Sequence, residues 1–243
     1  MISYGVSLLS GGLDSTTVTT MAVKEIDQLT AVTFIYGQTH NKEVVQARMI
    51  AKKLGIPQTI IDLSLVKDVA WYSALIDPEE FELPETDGAP SQKGGIPNSY
   101  VPIRNTIFIS IAMAYLESMI LHDIELLGKR PEDLISKIYV APNVVDYSGY
   151  PDCRPEFFSS IEETINLGSK LFNDYNIKTE LVTPIISLTK RQIIEHGMEI
   201  NAPIDLTWSC YKGGDVPCSR CDSCLFRAKG FLEAGIADPA LKV

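Results

Sequence analysis

Four cysteines within fifteen residues are the strongest chemical signal in the sequence. Cys210, Cys218, Cys221 and Cys224 follow a C-x7-C-x2-C-x2-C spacing. A C-x2-C pair places two thiolates on one metal ion, and four thiolates with no open position indicate a closed, structural zinc site. An iron–sulfur cluster takes the same ligands and is a weaker alternative, as are reduced cysteines without metal. We therefore expect Zn²⁺ at this end of the chain.

A second signal is a glycine-containing string that follows a short apolar run: Ser10, Gly11, Gly12, Leu13, Asp14, Ser15 and Thr16. Adjacent glycines let backbone amides approach a ligand, and the helix predicted to follow directs its amides and positive dipole end to the same place. An ordinary turn with Asp14 as helix cap would explain the glycines alone. The complete S-G-G-x-D-S string, however, resembles the signature of PP-loop enzymes, which cleave ATP between its α and β phosphates. It is not a Walker A loop, because that lysine and spacing are absent.

A third candidate is a polar and aromatic turn: Asp146, Tyr147, Ser148, Gly149, Tyr150, Pro151, Asp152, Cys153 and Arg154. The turn follows a predicted strand and opens a predicted helix, so we place it at the ligand edge of the sheet. Its composition suits a flat heterocycle that forms hydrogen bonds. Taken alone, such a turn is more typical of a surface loop, and Cys153 of a small buried residue.

Strand and helix patterns alternate along the chain. Apolar runs predict strands at 6–9, 29–36, 59–63, 137–141 and 178–183, and periodic patterns predict helices from Asp14 and at 42–54, 103–121, 155–175 and 189–199. This alternation indicates an α/β fold with a parallel sheet, helices on both faces and ligands beyond the carboxyl ends of the strands. Residues 64–101 are irregular, which predicts either disorder or a lid over the site.

Composition argues against a nucleic-acid-binding or membrane-spanning protein. The chain carries 31 acidic and 21 basic residues, a formal charge of −10, which argues against direct contact with nucleic acid. No N-terminal signal pattern is visible, and the longest apolar stretch, 107–121, is interrupted and too short for a bilayer. We therefore expect a cytoplasmic protein, in which clustered cysteines bind metal rather than form disulfides.

The three motifs, their order and the tail 225–231 resemble the 7-cyano-7-deazaguanine synthase family over nearly the whole chain. The resemblance implies a Rossmann-like PP-loop (adenine nucleotide alpha hydrolase-like) domain, residues 1–205, with a zinc-binding extension, residues 206–243, packed on it. It also implies a homodimer. The family converts 7-carboxy-7-deazaguanine to the nitrile with ATP and ammonia, through an adenylated acid and an amide. The product serves queuosine biosynthesis.

The same resemblance assigns the ligand-binding residues. ATP would be bound by the glycine-containing string, Tyr36 and Lys190, with Mg²⁺ neutralising the departing pyrophosphate. The deazaguanine would be bound by Arg104, Asn105, Asp146, Ser148, Tyr150, Asp152 and Arg154. Zinc would hold the extension in place and take no part in the chemistry. We expect Arg220 and Arg227, beside the cysteines, to be solvated surface charges.

Three departures from the family pattern fall near the expected site. Thr39 stands where the family has arginine, Ile103 where it has glycine, and Ala141-Pro142 where it has Gly-Val. The stretch 122–136 also looks longer than the family needs and suggests a partner surface. Neutral drift explains such changes. They also allow a paralogue that adenylates the acid and couples it as an amide to another amine, such as a protein N-terminus in bacterial anti-phage defence.

Two further classes share part of this pattern. A tRNA-modifying PP-loop enzyme has the glycine-containing string, but the acidic balance and the lack of a basic patch argue against it. A nucleotide-binding scaffold without activity would follow if the departures abolished the chemistry. The complete phosphate-binding string favours an enzyme.

Overall fold

The computed structural model describes residues 1–38, 41–81, 95–145 and 149–241. Its elements in chain order are β1 (Ile2–Leu8), α1 (Leu13–Glu25), β2 (Gln28–Ile35), α2 (Lys42–Leu54), β3 (Gln58–Asp62), α3 (Val66–Val69), α4 (Arg104–Glu125), β4 (Leu134–Tyr139), α5 (Pro155–Leu167), α6 (Lys170–Tyr175), β5 (Thr179–Val182), α7 (Lys190–Glu199) and α8 (Asp222–Ala234).

The strands form one parallel sheet in the order β3-β2-β1-β4-β5. Tyr4 of the central strand β1 is in register with Gln28 of β2 on one side and with Ser136 of β4 on the other. Strands β1 and β2 are buried along nearly their whole length, as expected for a parallel sheet covered on both faces. The predicted α/β class is confirmed.

Helices cover both faces of this sheet. On one face, α4, α5 and α6 contribute to the largest core cluster, which includes Ile109, Leu116 and Phe158 packed on Val6 and Val32. On the other face, α1, α2 and α7 form smaller clusters around residues such as Val18, Ile50 and Ile193. Burial of these apolar side chains is the main stabilising contribution of both faces.

Helix α1 is buried although it is rich in threonine. Thr16, Thr17 and Thr20 each donate their hydroxyl to a carbonyl four residues earlier, at 2.8, 3.1 and 2.8 Å. Thr19 pairs with Ser7 of β1 at 2.8 Å. Each hydroxyl therefore has a partner, which removes the penalty for burying it next to the sheet.

Two sequence-based boundaries were wrong. The helix predicted at 155–175 is two helices, α5 and α6, with a break after Leu167. Ser169 starts the second helix as its N-cap, because its hydroxyl accepts from the amide of Phe172 at 3.3 Å. The stretch 122–136 is mostly regular: its first four residues complete α4 and its last three belong to β4. The connection between these elements exposes Leu126 and Leu127.

Helix α4 is longer than the sequence predicts. Its 22 residues make it one helix, within the described part of the chain, long and apolar enough by composition to cross a membrane. The core helix of a folded domain passes the same test, and α4 buries Ile109, Leu116 and Ile120 in the central cluster. Its apolar character is therefore explained by packing against the sheet.

The strand order reverses between β1 and β4, from which the chain continues to opposite edges of the sheet. At such a switch point the loops after the two strands diverge and leave a crevice beyond their carboxyl ends. Here those loops are residues 9–12 after β1 and residues 140–145 after β4. The described part of 64–101 packs through Val66, Leu75 and Val101 against Tyr36, which follows β2 at this edge.

Candidate active site

A cavity of about 290 Å³ occupies this crevice. Its wall includes Ser10 from the loop after β1, Ser15 from the first turn of α1, Tyr36 directly after β2, and Arg104 and Asn105 from the start of α4. These five residues come from the two groups that the sequence assigns to nucleotide and to substrate. The fold therefore brings both groups to one cavity, although they lie up to about 95 residues apart in the chain.

The loop after β1 is held by its own hydroxyl groups. The hydroxyls of Ser10 and Ser15 lie 2.9 Å apart, and Ser10 also accepts from the amide of Gly12 at 3.3 Å. Gly12 is the N-cap of α1, whose first-turn amides have no partner inside the helix. The result is a preformed concavity of amide and hydroxyl donors at a helix N-terminus, a geometry suited to phosphate oxygens.

Gly11 is required at its position for two reasons. Its φ of +90° lies in the left-handed region, and a Cβ there would collide with the backbone carbonyl of Glu43. The first turn of α2 therefore packs directly on the loop. On the other side, Trp208 donates its amide to the carbonyl of Gly11 at 2.9 Å, which ties the segment before the cysteines to the same loop.

Lys190 reaches the loop from the start of α7. Its ammonium lies 2.7 and 2.8 Å from the two carboxylate oxygens of Asp14. Thr189 caps α7 in a capping box with Gln192, which fixes the helix start that carries the lysine. Gly230 of α8 packs on the Lys190 stem, where a Cβ would clash. A cation is thus held at the edge of the phosphate-binding loop.

The cavity wall carries a cation of its own, Arg104. Arg104 donates to the hydroxyl of Tyr36 at 3.4 Å and lies over its ring at 5.6 Å. Burial works against the charged form, but Tyr36, Tyr150 and Asp152 outweigh it and raise the pKa of Arg104, so the guanidinium stays charged. Such a cation suits a carboxylate or phosphate group in the cavity.

Asp152 lies behind this wall and shapes it. The backbone amide of Asn105 donates to its carboxylate at 3.3 Å, and the Asn105 side chain donates to its carbonyl at 2.9 Å. Burial raises the pKa of Asp152, and the charge on Arg104 opposes that rise. The 3₁₀ turn before α5 is thereby fastened to the start of α4.

The other predicted residues have varied places. Tyr150 lines the cavity and shares a hydrogen bond of 2.7 Å with Ser99, whereas Arg154 is exposed at the start of α5. Leu13 packs in a core cluster, so only its backbone faces a ligand, and Thr16 is fully buried. Asp146 and Ser148 lie outside the described residues.

Among the cavity-wall residues to which sequence reasoning gave no ligand-binding role are Glu43 and Cys153. Glu43, half-buried in the first turn of α2, lines the cavity, and burial raises its pKa to about 7. Cys153 also lines it, and burial raises the pKa of its thiol to about 11, so the thiol is protonated near neutral pH. The signal for Glu43 was its place at a helix start after a strand, the same logic that identified the loop after β1.

The structure describes two of the three departures from the family pattern. Ile103 has φ +58°, a left-handed conformation that favours glycine, and it immediately precedes Arg104. Ala141 and Pro142 lie in the cavity wall. Thr39 is outside the described residues. The changes at Ile103 and at 141–142 therefore border the site.

The four cysteines come together as the spacing predicts. All four sulfur atoms lie within 4.8 Å of one another, and those of Cys218 and Cys224 are 4.0 Å apart. A tetrahedral zinc site with Zn–S bonds of about 2.3 Å needs sulfurs about 3.8 Å apart. The amide of Cys218 donates to the Cys210 sulfur at 3.3 Å, and that of Cys221 to the Cys218 sulfur at 3.4 Å. These residues could hold a metal ion.

The sulfurs also influence one another electrostatically. Hydrogen bonds from Cys221 and Cys224 lower the pKa of Cys210. The hydrogen bond with Cys210 raises the pKa of Cys221 to about 11, although the one with Cys224 opposes that rise. The thiolate is the form that binds metal. A cluster that readily releases its first proton fits a soft divalent ion.

Arg227 corrects one prediction, because it is buried rather than solvated. Its guanidinium binds both carboxylate oxygens of Asp238, at 2.5 and 2.9 Å, and donates to the hydroxyls of Thr207 and Ser209 at 2.8 and 3.1 Å. It therefore fastens α8 and the residues after it to the segment before Cys210. Arg220 is exposed, as expected.

A parallel sheet with a phosphate-binding loop after its first strand, joined to a four-cysteine cluster, defines a protein of the PP-loop class. The family model described as "Queuosine biosynthesis protein QueC" matches residues 4–235. The chain belongs to the QueC family.

Curated relatives agree. The chain is 41% identical to 7-cyano-7-deazaguanine synthase of Thermoplasma volcanium over 98% of this chain and 90% of that protein. It is 42% identical to the protein of the same name in Syntrophus aciditrophicus, over 97% and 95%. Among solved structures, NMN synthetase from Francisella tularensis is similar, with 15% identity and a TM-score of 0.47 over 96% of this chain and 78% of that one. This last likeness is too distant to bear on function.

Proposed function

We propose that this protein uses ATP to activate 7-carboxy-7-deazaguanine and, with ammonia, converts it to 7-cyano-7-deazaguanine through the amide. The observation that carries the proposal is the shared cavity, which Ser10 and Ser15 line together with Arg104 and Asn105. A carboxylate becomes a good electrophile when its oxygen is joined to a phosphate, and this step needs both groups in one place. The names of the family relatives support the same reaction.

The roles of the residues follow from their positions. The loop from Ser10 to Thr16, with Tyr36 and Lys190, would bind ATP, and departing pyrophosphate would take Asp14's place beside the Lys190 ammonium. Mg²⁺ would share the charge of the phosphates. Arg104, Asn105, Tyr150 and Asp152 would bind the deazaguanine acid, with Asp146, Ser148 and Arg154 completing the set. We also propose that the protein is cytoplasmic and forms a homodimer.

The cysteine cluster has a separate role. Cys210, Cys218, Cys221 and Cys224 would hold Zn²⁺, which when bound supplies a cross-link and no reaction step. The division into residues 1–205 and a zinc-binding extension, 206–243, is part of the same proposal. The amide bond from Trp208 to Gly11 and the contact of Gly230 with Lys190 support an extension that steadies the phosphate site.

The experiment is a product analysis. The purified protein is incubated with ATP, Mg²⁺, 7-carboxy-7-deazaguanine and an ammonium salt, and mass spectrometry identifies the deazaguanine products. Nitrile together with AMP and pyrophosphate is the expected result. A matched Lys190→Met variant should release pyrophosphate at least about 10²-fold more slowly, as expected for loss of a group that stabilises developing charge. Nitrile formed without AMP release would contradict the proposal.

A second function is favoured by the altered cavity wall. Ile103 next to Arg104, and Ala141-Pro142 in the wall, are changes that a paralogue stopping at the amide would need. Such an enzyme would adenylate the acid and couple it to another amine, such as a protein N-terminus. Adenylate or amide as the final product, without nitrile, would favour this reading over the first.

A further inference from the structure

Glu43 is chemically out of place in the cavity. Among the described lining residues it is the only carboxylate and Arg104 the only guanidinium, while no lysine lines the cavity. Across the described residues, no hydrogen bond or ion pair holds the Glu43 side chain. Burial raises its pKa, the charge on Arg104 lowers it, and the sulfur of Cys210 raises it. The carboxylate is half-buried and open to the cavity, where a ligand can reach it.

The charge of that ligand follows from the reaction. The proposed substrates, ATP and a carboxylic acid, are both anions, and each would be repelled by a second anion in the same cavity. The remaining participants with positive charge are Mg²⁺ and the amine, which is ammonium at neutral pH. Glu43 therefore faces a cation at some stage of the cycle.

The surroundings of Glu43 favour ammonium. Mg²⁺ requires near-octahedral oxygen ligands and several waters, whereas the wall of the cavity that Glu43 lines includes the rings of Tyr36, Phe108 and Tyr211. Aromatic faces attract an ammonium ion that has lost its water. Burial, which raises the pKa of Glu43 to about 7, makes the carboxylate a better proton acceptor and a poorer metal ligand.

We propose that Glu43 is a catalytic residue that binds the incoming ammonium ion and accepts its first proton. The inference rests on the proposed function and adds to it the group that handles the amine. Because the carbonyl of Glu43 packs on Gly11, the ammonium would be held beside the loop that carries the activated acid.

One proton passes from ammonium to the Glu43 carboxylate, which frees the lone pair of nitrogen. The nitrogen bonds to the carbonyl carbon of the acyl adenylate, the bond from that carbon to the phosphate oxygen breaks, and AMP leaves with the electron pair. Nitrogen then loses its second proton to solvent. The products are the amide, AMP, protonated Glu43 and one proton.

The test compares two nucleophiles in Glu43→Gln, which preserves shape and removes charge. Hydroxylamine is neutral at the same pH and needs neither a carboxylate partner nor prior loss of a proton, and it traps the acyl adenylate as a hydroxamate. With ammonium, the variant should form product about 10²-fold more slowly and require more ammonium for half-saturation. With hydroxylamine, the hydroxamate should fall far less.

Two further variants sharpen the comparison. Glu43→Asp keeps a carboxylate and should recover part of the ammonium reaction. Glu199→Gln, at an exposed position of α7, should change neither reaction and controls for the loss of a negative charge.

Three results would overturn the inference. An equal fall with both nucleophiles would place Glu43 in activation or Mg²⁺ binding, and an unchanged ammonium reaction would leave it without a role. If the unaltered protein formed neither hydroxamate nor AMP, the proposed function would fail, and this inference with it.

Discussion

The cysteine cluster and the cavity differ in how completely their polar groups are paired. In the cluster the sulfurs accept from backbone amides and lie against one another, and the nearby Arg227 is fully paired with Asp238. In the cavity Glu43 has no partner among the described residues, and the start of α4 holds Ile103 in a left-handed conformation. The interactions of the cysteine cluster stabilise the fold, whereas the cavity region retains an unpaired charge and backbone strain, as ligand-binding sites commonly do. Substitutions should therefore destabilise the first and stabilise the second.

The largest expected effect is in the cluster. Cys221→Ser removes one of four ligands, so the bound metal should be lost and thermal unfolding should occur at much lower temperature, a change of several kcal/mol. Metal content and thermal unfolding measure this directly. Cys153→Ser is the matched control, because Cys153 lies in the cavity wall and not in the cluster, and it should keep the metal.

The next effect concerns the pair of Arg227 and Asp238, whose side chains are only 8% and 7% exposed. Asp238→Ala leaves a buried guanidinium without its carboxylate and should lower the free energy of unfolding by about 3 kcal/mol. Asp205→Ala, which breaks the exposed pair with Lys53, should cost about 0–1 kcal/mol. Equal losses in urea unfolding would show that burial does not distinguish the two pairs.

A gain in stability is expected at Ile103. A β-branched residue in the left-handed region costs about 1–2 kcal/mol of strain. Glycine removes this strain, but it loses more backbone entropy on folding, which offsets part of the gain. Ile103→Gly should therefore raise the free energy of unfolding by about 0.5–1 kcal/mol. Ile96→Gly is the control, since Ile96 is also exposed but has no positive φ; it should give no gain. A loss at Ile103 would contradict the strain argument.

The effect expected at Glu43 depends on pH. Burial raises the pKa of Glu43 from 4.5 to about 7, so the folded state binds its proton more tightly than the unfolded state. The contribution is present below pH 4.5 and is lost as pH rises through about 7. Glu43→Gln should therefore melt at a higher temperature than the unaltered protein at pH 8, with a smaller difference at pH 5. A difference that is constant with pH would argue against a buried charge at this position.

The sequence predicted features that depend on near neighbours in the chain. The four cysteines and the loop after β1 are each encoded within fifteen residues, and α2 was predicted with its observed ends because Gly55 provides a left-handed cap. The break between α5 and α6 was missed, since one serine cap competes poorly with a continuous periodic pattern.

The cavity as a whole could be predicted only in outline. Its residues are spread along the chain from Leu8 to Tyr211, and only the strand order brings Glu43 to Arg104. In the sequence Glu43 is one of several charges on an amphipathic helix, and nothing local marks it as enclosed. The prediction that Arg227 is a solvated surface charge was wrong for a similar reason. Its partner Asp238 lies after the end of α8, and nothing in the sequence marks the two as a pair.

The bond from Trp208 to Gly11 links two segments that a ribosome makes far apart in time. The phosphate-binding loop emerges among the first residues, yet its support arrives some two hundred residues later. A nascent or truncated chain ending before Trp208 would carry the loop's sequence without its brace. The order of synthesis would thus delay nucleotide binding until translation has passed the C-terminal segment, so that incomplete chains would compete little for cellular ATP.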